Sequence, residues 1–262
     1  MSAMNGSEGA AAPLSPTALE VRGLSKTFRN APTPVWSGIS FQVPAGQRVA
    51  IIGGNGTGKS TLLRCCLRLI EPDAGEIRLH DKALTGAHFG HLRQMRAHVG
   101  FVFQKHNLVP RLSVLTNVLH GGMARARGPR YWLQSFAPRQ EREYALHCLE
   151  QVKLAHLATR RADHLSGGQS QRVAIARALM QRPRMIFADE PVASLDPQAG
   201  EEVMETFAEL TRAHGLTLMF VSHHLEHAMN YADRVLGLRG GKLDLDASVA
   251  TESVASLRTL YA

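Results

Sequence analysis

Apolar and polar residues alternate in three early segments: Leu19-Glu-Val21-Arg, Ile39-Ser-Phe41-Gln-Val43 and Ile77-Arg-Leu79. A period of two sends successive side chains to opposite faces, which predicts half-buried strands. Three further segments are continuous apolar runs: Val49 to Ile52, Met185 to Ala188, and Leu216 to Val221, the last broken only by Thr217. Such runs predict parallel strands covered by helices on both faces. Between them the period lengthens. Asp196-Pro197 reads as an N-cap with proline in the first turn, Val203, Phe207 and Leu210 follow at helical spacing, and Gly215 is a stop. From about 82 to 165 the chain is basic and helical, with Ala145, Leu149 and Val152 on one face and breaks at Gly121-Gly122 and Gly128-Pro129. That stretch reads as an α-helical insert in an α/β core with a mostly parallel sheet. Residues 1–17, rich in Gly, Ala, Ser and Pro, are expected to be disordered. No internal repeat is present.

A length of 262 residues at 44% hydrophobic content suits one domain carrying a sizeable insert. The net charge of +8 raises the question of nucleic acid, but the basic residues are dispersed and form no long block. No apolar run is long enough to span a bilayer, and the first residues lack the basic and apolar regions of a signal peptide. The expectation is a chain on the cytoplasmic side. Its three cysteines, Cys65, Cys66 and Cys148, suggest no disulfide framework and read as small packing residues.

Candidate chemistry begins at Gly53-Gly54-Asn55-Gly56-Thr57-Gly58-Lys59-Ser60, with Thr61 next in the chain. The spacing is that of a phosphate-binding loop, and it stands where it must, after an apolar strand and before a helix. Glycines let backbone N–H groups turn toward phosphate oxygens, Lys59 brings charge to the β- and γ-phosphates of ATP, and Ser60 offers a hydroxyl to Mg²⁺. A second candidate is Met185-Ile-Phe-Ala-Asp189-Glu190, an apolar strand ending in two acids. Asp189 can hold Mg²⁺, and Glu190 can polarise an attacking water.

The third candidate is Leu165-Ser166-Gly167-Gly168-Gln169-Ser-Gln-Arg-Val-Ala-Ile-Ala-Arg-Ala-Leu179. It resembles the signature sequence of ATP-binding cassette proteins. Physically, a serine and two glycines at a helix start make another anion site. The resemblance spans about residues 18 to 245, leaving 246–262 as a tail. It implies a cassette fold with an antiparallel β subdomain near the N-terminus and the signature carried by the helical insert. It also implies a dimer in which each ATP lies between one subunit's phosphate loop and the other's signature. Further positions carry over. Gln104, in Gly100-Phe-Val-Phe-Gln104, matches the glutamine that senses Mg²⁺ and the attacking water and couples to the transporter. Ser194-Leu195-Asp196 resembles the loop that communicates across the dimer, and His223 matches the switch histidine at the γ-phosphate. Phe28 stands where an aromatic ring stacks on adenine.

Gln104 to Gly121, Ala188 to Pro197 and the aromatic stretch Arg130 to Phe136 are similar to phosphonate-import ATPase subunits. Ser-His223-His224 departs from the Leu-His-Gln often found in that group. The implied partners are a second ATPase subunit, membrane permease subunits and a periplasmic or lipid-anchored solute-binding protein, at the cytoplasmic face of the membrane. A mechanoenzyme acting on nucleic acid would need a basic cluster, which the sequence lacks. A non-hydrolysing cassette would lack Glu190 or His223, and both are present.

Overall fold

A computed structural model of the chain describes residues 17–29, 32–125, 132 and 134–261. Residues 1–16 of the segment expected to be disordered and part of the Arg130–Phe136 stretch lie outside these residues, whereas Thr17, placed in that segment, opens the first strand.

Strands β1 (Thr17–Lys26) and β2 (Trp36–Pro44) pair antiparallel. The chain then leaves that sheet as β3 (Arg48–Gly53), which leads through the glycine-rich loop into helix α1 (Lys59–Cys65). It returns as β4 (Ala74–Leu79) and the short β5 (Lys82–Ala83), completing a four-stranded antiparallel sheet in the order β2-β1-β4-β5. Val21 stands opposite Phe41 on one side and Ile77 on the other, and all three are buried. The alternation seen in the sequence is therefore the inner face of this sheet.

Beyond it come α2 (Phe89–Arg96) and β6 (Val99–Val102), then the helical layer of α3 (Val114–Leu119), α4 (Arg139–Gln151) and α5 (Gly167–Leu179). Strand β7 (Met185–Asp189), α6 (Pro197–His214), β8 (Thr217–Val221) and α7 (Leu225–Tyr231) follow, and β9 (Arg234–Arg239), β10 (Lys242–Ser248) and α8 (Val254–Arg258) close the chain. The second sheet has the order β10-β9-β3-β8-β7-β6, parallel except where β10 pairs antiparallel with β9.

Its central strands are apolar throughout because each face has its own core. Ala50, Ile52, Ile186, Ala188, Leu218 and Phe220 join one cluster with the helical layer. Val49, Ile51, Met185, Phe187, Met219 and Val221 join another with the antiparallel sheet and α1. Helix α6 begins and ends as its sequence says: the Asp196 carboxylate accepts from the Ala199 N–H at 3.0 Å, and Gly215 closes the helix in the left-handed region. All three cysteines are buried in these cores. Burial pushes the Cys65 and Cys148 thiols up to about 12, so they stay protonated and act as packing groups.

Two boundaries differ from the sequence expectation. The stretch 82–165 is not all helical insert, since β6 lies inside it and forms the edge of the core sheet against β7. Four residues with a central glycine, Val99-Gly-Phe-Val, are too short to display a period. Helix α5 packs with α3 and α4, so the helical unit extends past 165 to include the signature helix. The stretch 246–262 is also more than a tail. Strand β10 crosses its start, and Leu257 and Leu260 are buried in the same cluster as the helical layer.

Candidate functional site

The order β3-β8-β7-β6 decides what meets what. These four strands run parallel, so their carboxyl ends share one edge, where ligands bind in open α/β sheets. The loop 53–58 leaves β3, His223 follows β8, Asp189 and Glu190 end β7, and Gln104 lies just past β6. Four segments spread between residues 53 and 223 thus reach one edge.

Within the loop, Gly58 adopts φ 87°, and a Cβ there would stand 2.3 Å from Val35 Cγ1 and 2.8 Å from Trp36 Nε1. Only glycine fits, because the β1–β2 hairpin presses against the loop; Trp36 Nε1 also donates to the Gly58 carbonyl at 3.4 Å. At the other end, a Cβ on Gly53 would lie 2.3 Å from the Leu238 carbonyl of β9. Lys59 folds back over the loop and donates from Nζ to the carbonyls of Gly53 at 2.8 Å and Gly54 at 2.9 Å. Thr57 Oγ1 closes the turn by donating to the same Gly54 carbonyl at 2.9 Å. Asn55 and Gly56 are exposed at the loop's tip, while Ser60 and Thr61 open α1 half-buried. Burial holds the Lys59 ammonium below the ordinary lysine range, against the opposing pull of Glu190 and Asp189.

Asp189 and Glu190 are sequence neighbours with different surroundings. Asp189 is 1% exposed. Its Oδ2 accepts from Arg64 Nη2 at 2.8 Å and Nε at 3.1 Å, while its Oδ1 is buried without a partner. At Glu190 the backbone enters the left-handed region, φ 50°, uncommon for a residue with a side chain. Its carboxylate meets His223 instead, with Nε2 and Oε1 2.6 Å apart. The three histidines near the end of β8 have different partners: His223 meets Glu190, His227 meets Glu201 at 3.5 Å, and the His224 ring packs on that of His227.

Arg64 was not singled out in the sequence. It lies one helical turn after Ser60 on α1, and that spacing was the available signal, because residues four apart share a helix face. Gln104 is exposed, as is Phe28, whose ring lies 5.6 Å from Lys26 Nζ in the connection beyond β1.

Ser166 caps α5 in a reciprocal box: its Oγ accepts from the Gln169 N–H at 3.2 Å, and Gln169 Oε1 accepts from the Ser166 N–H at 3.0 Å. Gly168 is buried, with its would-be Cβ 3.1 Å from Ala199 at the start of α6, so the signature turn and the Asp196 cap pack as one unit. Ser166 and Gly167 face solvent. Among the described residues, no hydrogen bond joins this turn to the loop around Lys59.

A glycine-rich loop closing on a buried lysine, beside a buried aspartate and a carboxylate–imidazole pair, defines a phosphate-loop nucleotide hydrolase. The comparisons narrow the class. The ABC transporter family matches residues 36–193. A phosphonates import ATP-binding protein PhnC from Bordetella parapertussis is 43% identical over 94% of this chain and 96% of its own. A protein of the same name from Treponema denticola is 41% identical over 87% and 88%. Among solved structures, the dimeric post-hydrolysis state of an ATP-binding cassette bound to ADP and Pi is 31% identical, with TM-score 0.77 over 88% of this chain and 98% of that one. cbiO1 from Clostridium perfringens, part of the ABC transporter complex cbiONQ, is 27% identical, with TM-score 0.79 over 93% and 95%. The chain belongs to the ABC transporter family and is its ATP-binding ATPase. Among the described residues, no helix is long and apolar enough to cross a membrane.

The Arg64 contact yields a test. Arg64→Met should lower the unfolding free energy of nucleotide-free protein by about 1–3 kcal/mol, because it leaves a buried carboxylate without its donors. Urea denaturation measures this; a change below about 0.5 kcal/mol, the usual range of a surface substitution, would show that Asp189 does not depend on Arg64.

Proposed function

We propose that this chain powers a bacterial importer of phosphonates or a closely related phosphorus oxyanion. The observation that carries the reading is similarity along nearly the whole length to proteins named for phosphonate import. Its partners would be a second copy of the chain, membrane permease subunits and a solute-binding protein outside the membrane, with the ATPase at the cytoplasmic face. The permease would dock on the apolar groove of Leu67, Leu69, Phe89, Phe101 and Phe103, where Phe89 is 78% exposed. That groove adjoins Gln104 in the chain, which supports a coupling role for the glutamine.

In the proposed mechanism, loop 53–58 and Lys59 hold the β- and γ-phosphates, and Phe28 stacks on adenine. Ser60, Asp189 and Gln104 would hold a magnesium ion, whose charge offsets that of the phosphates. The buried, unpartnered Oδ1 of Asp189 suits such a ligand set. Glu190 accepts a proton from the attacking water, and His223, already paired with Glu190, orients it and contacts the γ-phosphate. Ser166, Gly167, Gly168 and Gln169 would complete the partner's site, with Asp196 at the same junction.

Deleting the gene should abolish growth on a phosphonate as sole phosphorus source while sparing growth on phosphate. Normal growth on every phosphonate tried would remove the solute assignment. For the chemistry, Glu190→Gln should lower ATP turnover by about two to four orders of magnitude with nucleotide binding retained. Near-normal turnover in a steady-state assay would show that another group takes the proton. The shared site is tested by mixing. Lys59→Ala and Ser166→Arg subunits, each inactive alone, should recover part of the ATPase activity together, since a mixed dimer holds one intact pairing. Activity linear in protein concentration together with no recovery would count against a site built from two chains.

A further inference from the structure

At the end of the core sheet opposite the nucleotide site, a cavity of about 680 Å³ is lined mainly by cationic and titratable side chains. His98 and Arg184 sit immediately before β6 and β7, where those strands begin, and the Arg184 N–H donates to the His98 carbonyl at 2.9 Å. The β4–β5 turn supplies His80, Asp81 and Lys82, and α2 supplies His91. Arg125 completes the wall and is partly engaged: it donates to the Met180 carbonyl at 2.6 Å and stands 3.7 Å from Glu141. The guanidinium of Arg184 and the ammonium of Lys82 have no carboxylate partner among the described residues. Against three fixed positive charges the lining offers one carboxylate, Asp81.

His80, held in the left-handed region at φ 46°, contributes wall rather than hydrogen bonds, since both its ring nitrogens are sealed from the cavity. We infer that this cavity binds a small dianionic phosphoryl or phosphonyl group, held by Arg184, Lys82 and the His98 imidazole. Arginine and lysine are the side chains suited to such oxyanions, and the volume leaves room for an organic substituent. The site is separate from the phosphate loop, since strands β6 and β7 run between the two ends. The inference does not rest on the import reading.

Binding should be linked to protons. Burial pulls both His80 and His98 below the ordinary histidine range, with Arg184 pulling the same way, Lys82 and Arg125 reinforcing it at His98, and Asp81 opposing it at His80. Near neutral pH both rings are therefore held neutral. A dianion beside His98 favours the charged form of that ring, while the ligand's own second ionisation, at a pKa of about 6 for phosphate esters, depletes the dianion over the same range; affinity counted per dianion therefore tightens as pH falls.

The test is isothermal titration of the full-length protein with inorganic phosphate, methylphosphonate and glycerol 2-phosphate in turn, at pH 6 and pH 8. At least one should bind saturably, and the tightest identifies the source of the group. Counted per dianion, affinity should be about threefold or more higher at pH 6. Arg184→Ala should weaken binding by about tenfold, with Arg184→Lys recovering part of it, and Lys82→Ala should weaken it from a separate element. Thermal unfolding checks that each variant is folded. Lys59→Ala, which alters only the nucleotide loop, should leave this binding in place. Absence of saturable binding by all three ligands, equal affinity in the folded Arg184 and Lys82 variants, or loss of binding in Lys59→Ala would each overturn the inference.

Discussion

Everything at the candidate active edge depends on strand order. Because β3, β8, β7 and β6 lie side by side and parallel, the glycine-rich loop, His223, the two acids and Gln104 arrive together although they are far apart in sequence. The order is held by burial on both faces. Alternate residues of β3, β7 and β8 feed two separate cores, so a slip of one residue would exchange the two sets and mismatch both. The placement of these side chains is thus a by-product of packing, which leaves the edge positions free of any packing demand from the strands.

Most of this was legible because it was local. Continuous apolar runs gave β3, β7 and β8, alternation gave β1, β2 and β4, and Asp196-Pro197 with Gly215 bounded α6. The loop around Lys59 and the acids at 189 and 190 were readable because phosphate chemistry fixes both residue types and spacing. What escaped was non-local or short. Strand β6 has four residues and a glycine, and its identity comes from pairing with β7. Strand β9 is a short apolar run broken by Gly237, and β10 alternates across the boundary placed at 246; their place in the sheet is defined by β3 and by each other. The Arg64–Asp189 bond joins positions 125 apart; helical spacing places Arg64 on the face of Ser60, but no local pattern names its partner.

The signature turn shows the same separation of structure from use. Its capping box satisfies two main-chain N–H groups at the start of α5, and Gly168 lets α5 approach α6. Those features stabilise the turn in the isolated chain. The exposed hydroxyl and glycine are what remain for an external anion. The turn is therefore formed before any second subunit arrives, so little ordering entropy has to be lost when one docks.

Glu190 sits in a left-handed backbone conformation that an L-residue occupies at a cost of about 1–2 kcal/mol, whereas glycine occupies it freely. Under the proposed role of Glu190, stability and activity pull in opposite directions at one position. In a duplicated gene copy no longer selected for turnover, the change to glycine would be rewarded by a firmer fold. Silent copies of such a protein should lose this carboxylate early and keep the phosphate loop long afterward, because the loop's own glycines are already the residues its backbone prefers.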